Sequence, residues 1–134
     1  MLQITINSFS YKKSGVPKDT SGHGGGFVFD CRFIYNPGRK FEYMHLTGLD
    51  KEVINFLDEE SDMQKFLEDV YEIINKAAEN FMARDFTNLM VSFGCTGGQH
   101  RSVYAAENLN AHLQKKYGSQ ISTSLTHIDM PGRK

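Results

Sequence analysis

The segment Thr87 to Gly118, TNLMVSFGCTGGQHRSVYAAENLNAHLQKKYG, restricts the fold more than any other part of the chain. Its first eight residues form a compact apolar run of strand length. From Ser102 the period changes, and Val103, Ala106, Leu109, Leu113 and Tyr117 fall on one helical stripe. Lys115 and Lys116 suit the negative end of the helix, and Gly118 stops it. Between strand and helix stand Cys95, Thr96, Gly97, Gly98, Gln99, His100 and Arg101. A buried strand that turns through glycines into a helix is the repeating unit of α/β layering.

The remaining segments fit that layout. LQITINSF, from Leu2, alternates apolar and polar residues as a half-buried strand does. Residues 12–26 are rich in Gly, Ser, Lys and Pro without apolar period, and are expected to form a mobile loop. FVFDCRFI, Phe27 to Ile34, is expected as a second strand buried on both sides and ended by Asn36-Pro37-Gly38. From Lys51 the spacing is helical, with Asp50 at an N-cap, and Ser61 and Gln64 form a capping-box pattern at the start of a longer helix. ISTSLTHI, from Ile121, closes the chain as a strand. The expectation is one α/β domain over residues 1–134, a mostly parallel sheet of about four strands flanked by helices.

Fifteen basic residues nearly balance sixteen acidic ones, for a formal charge of −1, so strong sequence-independent attraction to nucleic acid or anionic membrane is not expected. No apolar run has the length of a membrane span and the start lacks a signal-peptide layout, which points to a cytoplasmic protein. The two cysteines, Cys31 and Cys95, show no zinc or disulfide spacing, and no metal or cofactor is expected.

At the glycine turn, backbone N–H groups and the positive end of a helix dipole converge on one point, which suits an anion. Gly97 and Gly98 permit close approach, Thr96 and Ser102 offer hydroxyls, Arg101 can grip phosphate with two N–H groups, and His100 adds a donor or a proton. A plain tight turn with a surface arginine is the bland alternative. Cys95 to Ser102 also fits the Cys-x-x-Gly-x-x-Arg-Ser loop of cysteine-dependent phosphatases, with Cys95 as nucleophile, His100 as a possible second catalytic group, and Asp30 or Asp129 as the general acid. Asp30 and Arg32 read equally as an ion pair or as ligand-binding groups. His23, His45 and His112 belong to no motif, and Cys31 reads as a small core residue.

Four blocks in order, NSFSYKKSGVP, FVFDCRFIYNP, LTGLDKEV and GCTGGQHRSVY, resemble the C-terminal domain of the RapZ family of bacterial RNase adapter proteins. The resemblance implies a fold similar to a subdomain of phosphofructokinase. It also implies binding of glucosamine-6-phosphate and of small regulatory RNAs, as in the best-known members. Carried over by position, it implies a phosphosugar pocket of Thr96, Gly97, Gly98, His100, Arg101 and Ser102, with Asp30, Arg32, Asn36 and Thr47 opposite and Lys12 as a weaker candidate. Three departures from the family pattern stand out. No Gly-x-x-x-x-Gly-Lys-Ser/Thr occurs, so nucleoside-triphosphate binding does not carry over, and a partner chain is expected to supply that domain. Met44 stands where an arginine is usual. The closing segment, His127, Ile128 and Asp129, has lost basic character, with only Arg133 and Lys134 after it, which lowers the expectation of RNA binding. Self-association is left open.

Overall fold

The computed structural model describes residues 1–131; Arg133 and Lys134 lie outside the described residues. Four strands, β1 (Leu2–Ser10), β2 (Gly26–Asp30), β3 (Asn88–Cys95) and β4 (Ile121–His127), form one sheet in the order β2-β3-β1-β4. Every pairing is parallel. Three helices, α1 (Lys51–Asp58), α2 (Ser61–Ala83) and α3 (Arg101–Tyr117), connect them. α3 lies across β3, β1 and β4, and α1 and α2 pack beside it, so the helices share one face. The other face is crossed by the loop after β1, where Pro17 to Ser21 and Ile128 stand beside Thr5, Asn7 and Met90.

The core follows from two periods meeting. Leu2, Ile4 and Ile6 of β1 alternate inward, as do Leu89, Val91 and Phe93 of β3. The stripe anticipated on α3 is buried throughout, and α2 contributes Met63, Leu67, Val70, Ile74 and Ala78 at steps of three and four.

Three local expectations are corrected. β2 stops at Asp30, and the chain leaves the ladder at Cys31 instead of running to Ile34. β2 is also an edge strand, paired only with β3 and alternately exposed, because its inward row of Phe27 and Phe29 has only one covered face to fill. The Ser61–Gln64 capping box does not form. Glu60 occupies the N-cap and accepts from the Asp62 N–H, while Gln64 Nε2 donates to Leu57 O at 2.8 Å and to Tyr104 Oη at 2.9 Å. Gln64 thereby ties the end of α1 to α3, a stronger use for a half-buried amide than a solvent-exposed cap.

At the other edge, His127 on β4 bridges Ser8 Oγ on β1 and Glu107 Oε2 on α3, each at 2.7 Å. Beyond it, Asp129 accepts from the Ser10 N–H at 2.8 Å and from Ser14 Oγ at 2.6 Å. These bonds fasten the last strand to the top of β1, beside the glycine turn.

Candidate functional site

The carboxyl ends of β3 and β2, the start of α3 and the segment 31–48 meet at one edge of the sheet, where ligands of open parallel sheets bind. The turn between β3 and α3 is held from several sides. Ser10 Oγ donates to Thr96 O at 2.6 Å, and Tyr11 N–H donates to Cys95 O at 3.0 Å. Gly98 has φ +67°, and a Cβ there would come within 3.0 Å of the Ser10 nitrogen and of Asp129 Cβ. Only glycine meets both demands without strain. Gly97 differs: a Cβ placed on it would meet nothing within 4 Å, so open space stands over the turn.

Arg101, the first residue of α3, is only 4% exposed. Its Nη1 donates to the carbonyls of Ile34 (2.7 Å), Arg32 (2.9 Å) and Cys31 (3.4 Å), and its Nε is buried with no hydrogen-bond partner among the described residues. Those bonds shape a cleft of about 350 Å³ lined by Arg32, Asn36, Arg39, Thr96 and Arg101, with Phe33, Ile34 and Tyr35. Three arginines thus line one hollow, with Arg32 paired to Asp30. A roomier hollow of about 510 Å³ carries Glu52, Glu59 and Glu60, whose charge repels an anion.

Of the candidates from sequence, Arg32, Asn36, Thr96 and Arg101 line the cleft, and Gly97 and Gly98 form the turn beside it. Asn36 Oδ1 accepts from the Gly38 N–H, which forms the turn that presents Arg39. The others face elsewhere. Asp30 forms a two-pronged pair with Arg32, with Nη2 to Oδ2 at 2.7 Å and Nε to Oδ1 at 2.9 Å, and Arg32 also lies 3.9 Å over the Tyr11 ring. The Arg32 bonds hold the Asp30 carboxyl below its ordinary range despite some burial, so it is an anion at neutral pH and a poor proton donor. Thr47 is buried in its own turn, with Oγ1 accepting from the Leu49 N–H and donating to Asp50 Oδ2. Lys12 is exposed outside the cleft lining, and its N–H donates to Ser10 Oγ at 3.1 Å. Cys95 Sγ is buried 3.1 Å from Ser102 Oγ and does not line the cleft.

His100 is an anchor in this arrangement. Its Nε2 lies 2.9 Å from Tyr43 O, and a carbonyl only accepts, so Nε2 carries the proton. Gln99 Nε2 donates to Met44 O and Leu46 O, and Gly48 N–H donates to Gln99 O. The turn therefore grips the segment 43–48 on one side while Arg101 grips 31–34 on the other. Sequence reasoning passed over four lining residues, Phe33, Ile34, Tyr35 and Arg39, of which Arg39 is the charged one. Its signal was the position after Asn-Pro-Gly, a turn that ends by displaying the next side chain.

Burial lowers the His100 pKa from 6.5, against the raising effect of its bonds to Tyr43 and Leu46, and burial also lowers His112. An unfolded chain then binds more protons than the folded one just below that value, so stability falls as pH drops through it. Asp19 and Asp30, lowered from 3.8, lose their contribution only at more acidic pH. Urea unfolding is expected to give a lower midpoint at about pH 5.5 than at about pH 7.5. A flat profile, or a rise on acidification, would contradict this account of His100.

Among the described residues, no three His, Cys, Asp or Glu side chains converge as a metal site. No helix among them is long and apolar enough to cross a membrane.

Comparison with known proteins gives the family. A nucleotide-binding protein of Xylella fastidiosa is 35% identical over 122 residues, which cover 91% of this chain and 40% of that protein. One from Paraburkholderia phytofirmans is 39% identical over 130 residues, 97% of this chain and 40% of the relative. One from Saccharophagus degradans is 38% identical over 118 residues, 88% and 39% respectively. The chain thus spans about two fifths of the length of these relatives. The profile of the RapZ C-terminal domain matches residues 2–131, from the first strand through the Asp129 clamp, and the chain belongs to that family.

Proposed function

We propose that the cleft between Arg32, Arg39 and Arg101 holds the phosphate group of a small metabolite, and that the domain is a binding module. The observation that carries this reading is Arg101: a residue only 4% exposed lines the cleft together with Arg32 and Arg39, and among the described residues its buried Nε–H has no hydrogen-bond partner. A buried donor left unmade costs about 1–3 kcal/mol, and the charge of an anion in the cleft would favour the guanidinium through space. The open space over Gly97 leaves room for a phosphate beside the turn.

An amino-sugar phosphate such as glucosamine-6-phosphate is the ligand we favour, on the resemblance to the best-known family members and on the small, polar character of the cleft. Occupancy of the cleft would then be read by a partner chain or domain, since the relatives extend well beyond the matched region. The phosphatase reading has no comparable support: Cys95 is 2% exposed, hydrogen-bonded to Ser102, and absent from the cleft lining.

Calorimetry with glucosamine-6-phosphate, glucosamine, inorganic phosphate and adenosine monophosphate tests this. Glucosamine-6-phosphate should bind, with glucosamine weaker by about a hundredfold or more, because the charged contacts are lost. Arg39→Ala, at an exposed position, should weaken binding about tenfold and leave the fold unchanged. If no phosphate compound binds the wild-type chain, the reading fails.

A further inference from the structure

The chain has two cysteines, 64 residues apart in sequence, and the fold sets them side by side. β2 and β3 run parallel with Phe27 opposite Val91, Phe29 opposite Phe93 and Asp30 opposite Gly94. The Cys31 N–H closes this ladder by donating to Gly94 O at 2.8 Å, which leaves Cys31 and Cys95 as the next residue on each side, near enough for Cys95 to act on the Cys31 thiol. Opposed residues of parallel strands share a face. Both cysteines do point inward, at 0% and 2% exposure, and they continue the row in which Phe29 stacks on Phe93 at 5.5 Å. Neighbouring strands lie about 4.8 Å apart, inside the span of about 4.4–6.8 Å that a disulfide bridges between Cα atoms.

From this register we infer that Cys31 and Cys95 form an intrachain disulfide under oxidation by a peroxide, making the pair a redox-modification site behind the cleft. One thiolate attacks a peroxide oxygen and breaks the O–O bond, leaving a sulfenic acid and, for hydrogen peroxide, water. The second thiol attacks that sulfur; the S–S bond forms as the S–O bond breaks, and a second water leaves. Two thiols are oxidised and one peroxide is reduced. Cys31 suits the resolving step, since burial and the neighbouring Cys95 push its thiol well up and make it the poorer first nucleophile. Access comes from the edge: β2 has five residues and pairs on one side only, and Cys31 lies just past its end, where local opening is cheapest.

The bridge would draw Cys95 Sγ away from Ser102 Oγ and fix the segment whose carbonyls Arg101 holds. The inference is independent of the ligand reading, and its test measures covalent chemistry alone. The full chain is treated with hydrogen peroxide, denatured, alkylated and digested with trypsin. One linked species should appear, joining the peptide that ends at Arg32 to the one that ends at Arg101, lighter by two hydrogens than their sum and released by dithiothreitol. The thiol titre should fall from two to none per chain, with the product running as a monomer on a non-reducing gel. Cys31→Ser should yield no linked species, and the wild-type mapping stands even if that variant folds poorly. Linkage only between chains, or separate oxidation of both thiols without a linked peptide, would overturn the inference.

Discussion

Arg101→Ala is expected to lose detectable phosphate binding and to unfold at a markedly lower urea concentration. The substitution leaves the carbonyls of Ile34, Arg32 and Cys31 without their shared donor in a buried setting. Hydrogen bonds from a charged group contribute about 1.5–3 kcal/mol each, and the long 3.4 Å contact contributes least, so a total loss of about 3–5 kcal/mol is expected. Arg101→Lys separates the two roles, because an ammonium keeps the charge but cannot reproduce the planar fork. It should retain part of the affinity while still costing stability. Unchanged urea midpoints for both variants would mean that the three carbonyls do not depend on the guanidinium.

Gly48→Ala is expected to rank second, although the residue touches no ligand. A Cβ there would stand 2.5 Å from His100 O and 2.7 Å from Tyr104 N, both backbone atoms of the first turn of α3. Backbone at that spacing cannot rotate aside, so segment 46–48 must lift from the helix. That motion breaks the Gly48 N–H bond to Gln99 O and disturbs the Gln99 bonds to Met44 and Leu46. Overpacking costs about 1–3 kcal/mol, and the strained hydrogen bonds place this case at the upper end. Differential scanning calorimetry against wild type reads the loss directly. A melting temperature within a degree of wild type, with binding intact, would show that the loop has room the contact distances deny.

How far the sequence reveals this architecture depends on the distance over which each feature is encoded. The apolar stripe of α3 lies within one helix, so the period of Val103, Ala106, Leu109, Leu113 and Tyr117 displays it in full. The inward row of β1 and the parallel, helix-connected layout are legible for the same reason. Strand order is another matter. Phe27 and Phe29 announce a strand but not that β2 has only one neighbour, since edge and interior strands differ by partners that lie far along the chain. Gln64 sits at capping-box spacing, yet the nearby hydroxyl of Tyr104 competes successfully for it.

The site divides in the same way. Gly98 and Arg101 could be singled out because a strand–turn–helix junction restricts which residues fit there. What Arg101 holds could not be read, because its acceptors are 67 to 70 residues away and are carbonyls, which every residue owns. The family resemblance implies Thr47 as a ligand group and the chemistry of His100 suggests another, whereas the fold commits the first to its own turn and the second to Tyr43. Arg39 shows the converse: an ordinary surface arginine acquires a place in the cleft only once the Asn36 turn points it there.

The placement of the Arg101 side chain has a mechanical consequence. One guanidinium anchors residues 31–34 of the cleft wall from beneath, while Gln99 and His100, adjacent in sequence, anchor residues 43–48 outside it. Moving the 31–34 wall would require breaking the buried bonds that Arg101 makes to it. For the ligand proposed above, entry would then be a matter of fitting against an anchored wall rather than of folding a lid. For the phosphate ligand proposed above, selectivity would then reside in the shape of the opening as well as in charge, so that a compact head group would pass where a bulky one bearing the same charge would be stopped.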